Sequence, residues 1–427
     1  MRRNSPGIAG RLARALLLLT VLALLGAPAR VAPPVAAAEL TVTANSATTD
    51  FPSAITFHLA ASAPQPVTRV DVHYRPLGSP VTEVGRADVT PGRQVDARYT
   101  LDTSTNYLPP GIDIAYRWQL TYADGGTEET PEQTLTYTDP RFHWQTTTAD
   151  TVTVTYYAGD QRFGQDALDT TVDAIRQFEE RFGVQVNDPV DVVIYGSEHD
   201  FAGALPANSS EWIGGFADPT LNVIVADIAP GSGAAAEIDR VLTHEVVHLI
   251  LDEATHNPFN DPPAWLNEGL ATYYQAVPDT RMGALLDDAV ANGRLIPVRA
   301  LNTGFPDDPD QALLSYAESE SIVRFIIETR GEAAMADLLK VFRNGVAYDV
   351  AVQQALGLSL DDLDREWKAW LDYPGDSPAA AAPSAPQSDG TEIGNGVGSV
   401  PLLIAALIAV AAGAIAIRRA HRPPDDA

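Results

Sequence analysis

Between residues 40 and 137 apolar and polar residues alternate with a period of two. The runs 40–44, 54–59, 67–74, 115–122 and 134–137 are rich in β-branched and aromatic residues, and turn formers such as Pro109-Pro110-Gly111 and Asp124-Gly125-Gly126 separate them. That period puts alternate side chains on one face of a strand. Several short strands over residues 39–140 predict an all-β sandwich of immunoglobulin or fibronectin type. No cluster of charged or metal-binding residues marks this stretch, so the expectation is a spacer or docking module.

Beyond residue 140 the pattern becomes mixed. Strands are predicted at 151–157 and 189–195, and a hairpin from 212–216 and 221–226 around Asp218-Pro219. A helical period covers 165–182, with Gly183 as its stop. The stretch Pro230-Gly-Ser-Gly233 then opens a helix, and further helices follow at 263–276, 280–292, 309–329, 332–343, 347–356 and 359–372. The last is amphipathic, with Leu363, Trp367 and Leu371 opposite Asp362, Asp364, Arg365 and Lys368. Residues 141–374 thus read as an α+β domain, a mixed-sheet lobe followed by a helical lobe.

The two ends carry apolar stretches of different kinds. Arg2, Arg3, Arg11 and Arg14 precede and flank the run Ala15–Leu25, and small residues up to Ala38 follow, the layout of a secretory signal over residues 1–38. Residues 375–396 are rich in Pro, Ala, Ser and Gly and read as a flexible linker. Residues 397–417 contain no charge, and a helix of that length spans about 31 Å, a membrane thickness. Arg418, Arg419 and Arg422 follow it in the tail 418–427, so the positive-inside rule places that end in the cytoplasm. The expectation is a single-pass protein of the cell membrane with most of the chain outside the cytoplasm.

The chain has 28 basic and 56 acidic residues. Segments 1–38 and 418–427 hold 8 of the basic and 2 of the acidic ones, which leaves 20 against 54, or −34, between them. Such a charge repels nucleic acid and anionic headgroups. The absence of cysteine excludes disulfides, thiolate ligands and a cysteine nucleophile.

Residues 243–249 read Thr-His-Glu-Val-Val-His-Leu. On a helix His244 and His248 stand at i and i+4 on one face, the spacing that lets two imidazoles meet one zinc ion. Glu245 is placed to act on a water beside the metal. A catalytic zinc takes a third protein ligand and keeps one position for water. Glu268, in Trp265-Leu-Asn-Glu-Gly-Leu-Ala271, is the candidate, 20 residues beyond His248 on a helix that starts after Pro262-Pro263. The polar stretch 252–261 is long enough to turn the chain back. His256 within it is an alternative ligand, and Asp252 an alternative partner for a ligand histidine, although a solvated role is the plainer expectation for both. His143 and His199 show no ligand spacing.

His-Glu-x-x-His, with 19 residues between His248 and the glutamate of Asn-Glu-Gly-Leu-Ala, resembles the gluzincin zinc metallopeptidases. More narrowly it resembles the bacterial peptidase MA-like domains, relatives of the thermolysin and M1 aminopeptidase families. The resemblance covers roughly residues 145–372. It implies one zinc ion per chain, held by His244, His248 and Glu268, with Glu245 as general base and a peptide or protein as substrate. Tyr316, 48 residues past Glu268, resembles the tyrosine on the family's downstream helix that donates to the oxyanion. The strand 212–216 resembles the edge strand that holds substrate. Two departures stand out. The Gly-x-Met-Glu-Asn segment that anchors a substrate amine in M1 enzymes is missing, and Thr272 stands where thermolysin-like enzymes carry an aspartate. Endopeptidase action is therefore expected ahead of aminopeptidase action. The alternative is a non-catalytic cell-surface binding or scaffold protein with a structural zinc module, which would have no use for Glu245. A zinc hydrolase acting on a non-peptide amide is a third reading.

Overall fold

The alternating segment forms β1 (Thr41–Asp50), β2 (Ala54–Pro76), β3 (Glu83–Arg86), β4 (Gly92–Asp102), β5 (Asp113–Tyr122), β6 (Thr127–Glu129) and β7 (Gln133–Thr136). The structure is a computed structural model, and it describes residues 39–205, 214–306 and 308–375. The first half of β2 pairs with β1 and β4, and its second half with β3 and β5. The other side of β5 carries β6 and β7. Along β2 the buried residues Ile55, Phe57, Leu59 and Ala61 occupy odd positions, whereas Val70, Val72 and Tyr74 occupy even ones. An uninterrupted strand would turn one of these sets outward. Irregular pairing between Ser62 and Val67, and again between Val67 and Arg69, absorbs the change of parity.

The expected two-sheet immunoglobulin-type sandwich does not form. All seven strands join one antiparallel sheet. The cause is β2, whose 23 residues run through both halves and pair with β4 on either side of the irregular stretch between Ser62 and Val67.

A second sheet comprises β8 (Gln145–Ala149), β9 (Val152–Tyr156), β10 (Val190–Tyr195), β11 (Gly215–Asp218) and β12 (Val223–Asp227), in the order β11-β12-β10-β9-β8. β10 runs parallel to β9 and β12, and the outer pairs are antiparallel. The helix α1 (Gln161–Phe182) connects β9 to β10. Asp160 starts it by accepting the Phe163 N–H at 3.0 Å, and Gly183 stops it at φ 68°. The short α2 (Glu198–Ala202) follows β10.

Both faces of this sheet are covered, which explains the almost unbroken apolar run of β10. Val190, Val192 and Ile194 belong to the core beneath the helices. Val193 and Tyr195 belong with Phe216, Val223 and Val225 to the core of the N-terminal sheet, beside Phe57 and Trp118. The N-terminal sheet therefore covers the second sheet rather than standing apart as a free spacer.

The remaining chain forms α3 (Ala234–Thr255), α4 (Ala264–Tyr274), α5 (Thr280–Ala291), a 3-10 turn (Val298–Asn302), α6 (Pro309–Arg330), α7 (Glu332–Phe342), α8 (Tyr348–Leu356) and α9 (Leu360–Trp370). α3 sits at the junction of the lobes, against α1, β11 and β12 and also against α4 and α7. Its buried residues extend around most of its circumference, as a central helix requires. The loop 256–263 turns the chain back to α4. Asn257 holds it by donating to the carbonyls of Asn260 (2.8 Å) and Phe342 (3.1 Å).

Among the described residues no helix is long and apolar enough to cross a membrane. The membrane-spanning helix in the expected architecture thus has no counterpart among the described residues. The signal segment 1–38, the linker beyond residue 375, the apolar segment 397–417 and the tail 418–427 lie outside the described residues.

Candidate active site

His244 and His248 lie one turn apart in α3, their ring centroids 4.9 Å from each other. Glu268 reaches them from α4. Its Oε2 stands 3.6 Å from His244 Nε2 and 3.7 Å from His248 Nε2. The three ligand atoms lie within 4.8 Å of one another, and no other such group of three occurs among the described residues. Side-chain exposure is 16% for His244, against 3% for His248 and 6% for Glu268, so the cluster opens on the His244 side.

Neighbours aim both imidazoles. Asn267 Oδ1 lies 3.1 Å from His248 Nδ1. A carbonyl oxygen only accepts, so Nδ1 carries the proton and Nε2 presents its lone pair toward Glu268. Gln275, where α4 ends, hydrogen-bonds the His244 side chain. Spacing of the histidines did not reveal either partner. Asn267 sits inside the Trp-Leu-Asn-Glu run, and Gln275 lies seven residues past Glu268, two turns along the same face.

Burial opposes every charge in the cluster. It pushes the pKa of Glu268 up, while His248 and the Tyr316 hydroxyl pull it down. Burial pushes Glu245 well above the usual carboxylate range, and Glu268 adds to this, whereas Arg240 opposes it. The His244 pKa falls to about 4, through burial first and nearby Arg240 second. His248 also falls, chiefly by burial. Glu268 Oε2 is buried without a hydrogen-bond partner, though two imidazoles face it. A divalent cation relieves all of these penalties together. Neutral imidazoles are the donors zinc takes, and its charge compensates buried carboxylates. The donor set fits zinc.

Glu245 points toward the edge strand. A Cβ on Gly215 would lie 2.4 Å from Glu245 Oε1, so only glycine leaves room for the carboxylate there. Tyr316, on α6, hydrogen-bonds Glu268, and its ring lies 6.5 Å from that of His244. Gly269 permits this closeness, because a Cβ on it would meet the Ser319 carbonyl oxygen of α6 at 2.5 Å.

The structure brings together all five residues singled out from the sequence. It separates the alternatives. His256 is 75% exposed and pairs with Asp252 at 3.6 Å, so neither reaches the cluster. His143 and His199 lie outside it. Of the expected edge strand 212–216, residues 215–216 belong to β11, while Trp212 and Ile213 lie outside the described residues.

Two histidines at helical spacing, a glutamate from the next helix and a second buried glutamate beside them define a zinc metallopeptidase site of the gluzincin kind. Residues 170–373 match the family model described as the Peptidase MA superfamily. Residues 170–373 therefore resemble a peptidase domain of that superfamily, and the His244, His248 and Glu268 cluster lies within them. No curated protein sequence matches the chain. Among solved structures it is similar to a mutant M1 zinc metallopeptidase from Deinococcus radiodurans, with 15% identity, 74% of this chain and 89% of that one covered, and a TM-score of 0.36. It is also similar to yeast LTA4 hydrolase in complex with bestatin, with 13% identity, 80% and 69% covered, and a TM-score of 0.37. A third likeness is to an aminopeptidase N family protein from Idiomarina loihiensis, with 9% identity, 77% and 72% covered, and a TM-score of 0.34. These scores are too low to establish a common fold, and the assignment rests on the family match and the site.

Proposed function

We propose that this protein cleaves internal peptide bonds of extended peptide or protein segments, with one zinc ion per chain held by His244, His248 and Glu268. The observation that carries the reading is the convergence of these three side chains beside a buried Glu245. Bound there, zinc lowers the pKa of a water and polarises the scissile carbonyl. Glu245 accepts the water's proton and passes it to the leaving amine. The Tyr316 hydroxyl, beside Glu268, donates a hydrogen bond to the developing oxyanion.

Endopeptidase action is supported by the edge strand. Among the described residues β11 pairs only with β12, so an extended peptide can add along its other side. The acid on that strand, Asp218, is 1% exposed and accepts the Leu221 N–H at 3.1 Å. It is spent on the turn and is not offered to a substrate amine.

The test is zinc content together with hydrolysis of a library of end-blocked peptides, in the parent and in Glu245→Gln. The expected result is stoichiometric zinc in both proteins, with a rate at least about 10²-fold lower in the variant. Cleavage unchanged in Glu245→Gln refutes the mechanism. Activity confined to free N-termini refutes the endopeptidase reading.

A further inference from the structure

We infer that Arg240 is a specificity-determining residue that takes a carboxylate of the substrate, so that the cleft prefers a peptide with an acidic group at one defined position. The inference deepens the peptidase reading and rests on it. Arg240 stands one turn before His244 on α3. A Cβ on Gly214 would lie 3.5 Å from its Nη2, and one on Gly215 would lie 2.4 Å from Glu245 Oε1. The guanidinium and the general base thus lie beside successive residues where the edge strand begins. On the other side, Asp279 of the helical lobe is close enough for the Arg240 charge to lower its pKa, behind the stronger effect of Arg281. Arg240 therefore lies between the edge strand and the helical lobe, where a peptide laid along β11 toward Glu245 passes.

The charge around it is otherwise negative. Glu237, Glu245 and Asp279 are the neighbouring acids, in a chain with a formal charge of −28. These acids disfavour an acidic substrate away from the guanidinium, so the preference is expected at one position. The existing ties leave Arg240 able to change partners. Glu237 accepts its Nε at 3.1 Å and its Nη2 at 2.7 Å, and Nη1 takes no part in that pair. The two side chains are 33% and 48% exposed. An exposed pair of this kind contributes little, whereas a carboxylate brought in by a substrate shields the guanidinium as it binds. Asp279 does not compete, because Arg281 holds it through both oxygens.

The experiment uses the zinc-loaded protein and N-acetylated peptides that differ only by Glu, Gln or Lys at each position around the cleaved bond, with free-acid and amidated C-termini compared. In the parent, Glu is expected to exceed Gln at a single position by about tenfold or more in kcat/KM, expressed mainly in KM. The ratio should fall close to one in Arg240→Gln and invert in favour of Lys in Arg240→Glu, with zinc content retained. A Glu-over-Gln preference identifies a side-chain carboxylate, whereas faster cleavage of a free-acid peptide than of its amide identifies the terminal carboxylate; loss of either preference in Arg240→Gln supports the inference. No preference in the parent, or an unchanged preference in Arg240→Gln, overturns it. Absence of any cleavage by the zinc-loaded parent would refute the peptidase reading instead. Calorimetric affinities of the same peptides for the Glu245→Gln protein then judge Arg240 alone, and equal affinities for Glu and Gln peptides overturn its role.

Discussion

Glu245 can occupy its place because residue 215 has no side chain. In Gly215→Ala the new Cβ would meet Oε1, Cδ and Cγ of Glu245 within 2.9 Å. The carboxylate can swing away at small cost to stability, but a base displaced by about 1 Å loses on the order of 10² in rate. Expected, therefore, are unchanged melting and zinc content with a severely reduced kcat, read by calorimetry, metal analysis and peptide hydrolysis. Gln275 acts on the metal side instead. Replacing it with Ala frees the His244 ring, and zinc affinity should fall about 10- to 100-fold in a chelator competition. At this scale His244, Glu245, His248 and Glu268 were legible from spacing and local motif. Gln275 and Asn267 were not singled out, since a residue that aims another leaves no period of its own. The resemblance pointed to Tyr316, and the structure sets it against Glu268.

Among the elements, the contact between α4 and α6 sets the distance from Glu268 to Tyr316. Gly269 faces backbone there, not a flexible side chain, so the helices must separate if it gains a Cβ. Gly269→Ala should lower stability by about 1–3 kcal/mol in urea unfolding and also lower kcat, unlike Gly215→Ala, which spares stability. Helices were the most legible elements. The expected helices 280–292, 332–343 and 347–356 correspond to Thr280–Ala291, Glu332–Phe342 and Tyr348–Leu356. Their apolar period and caps act within a few residues, as Ser359 and Asp362 show by capping α9 reciprocally. Strands were legible as segments but not as a sheet. The runs 54–59 and 67–74 proved to be one strand, because β4, far along the chain, pairs with β2 on both sides of the irregular stretch between Ser62 and Val67.

In the whole molecule, the N-terminal sheet and the second sheet share a core, so the catalytic lobe depends on its cover. Gly111, with φ +96°, brings its backbone so close that a Cβ would sit 2.5 Å from Val193 Cγ2. At the same boundary burial raises the Asp191 pKa to about 6, and nearby Asp113 adds to the shift. A carboxyl whose pKa is raised on folding gives stability that is complete below its unfolded value, near 3.8, and lost as pH climbs through about 6. Asp191→Asn removes this dependence. The variant should exceed the parent in stability by about 1–3 kcal/mol at pH 7.5 and match it below about pH 4, measured by urea unfolding at both values. The sequence by itself singled out His244, His248, Glu268 and Glu245 and the helical lobe, because helix period, caps and motif spacing are local properties. Only the tertiary structure decided which groups aim the histidines, why residues 215 and 269 are glycine, and that the N-terminal strands cover the catalytic sheet. Those features depend on contacts between segments far apart in the chain, and no spacing along it encodes them.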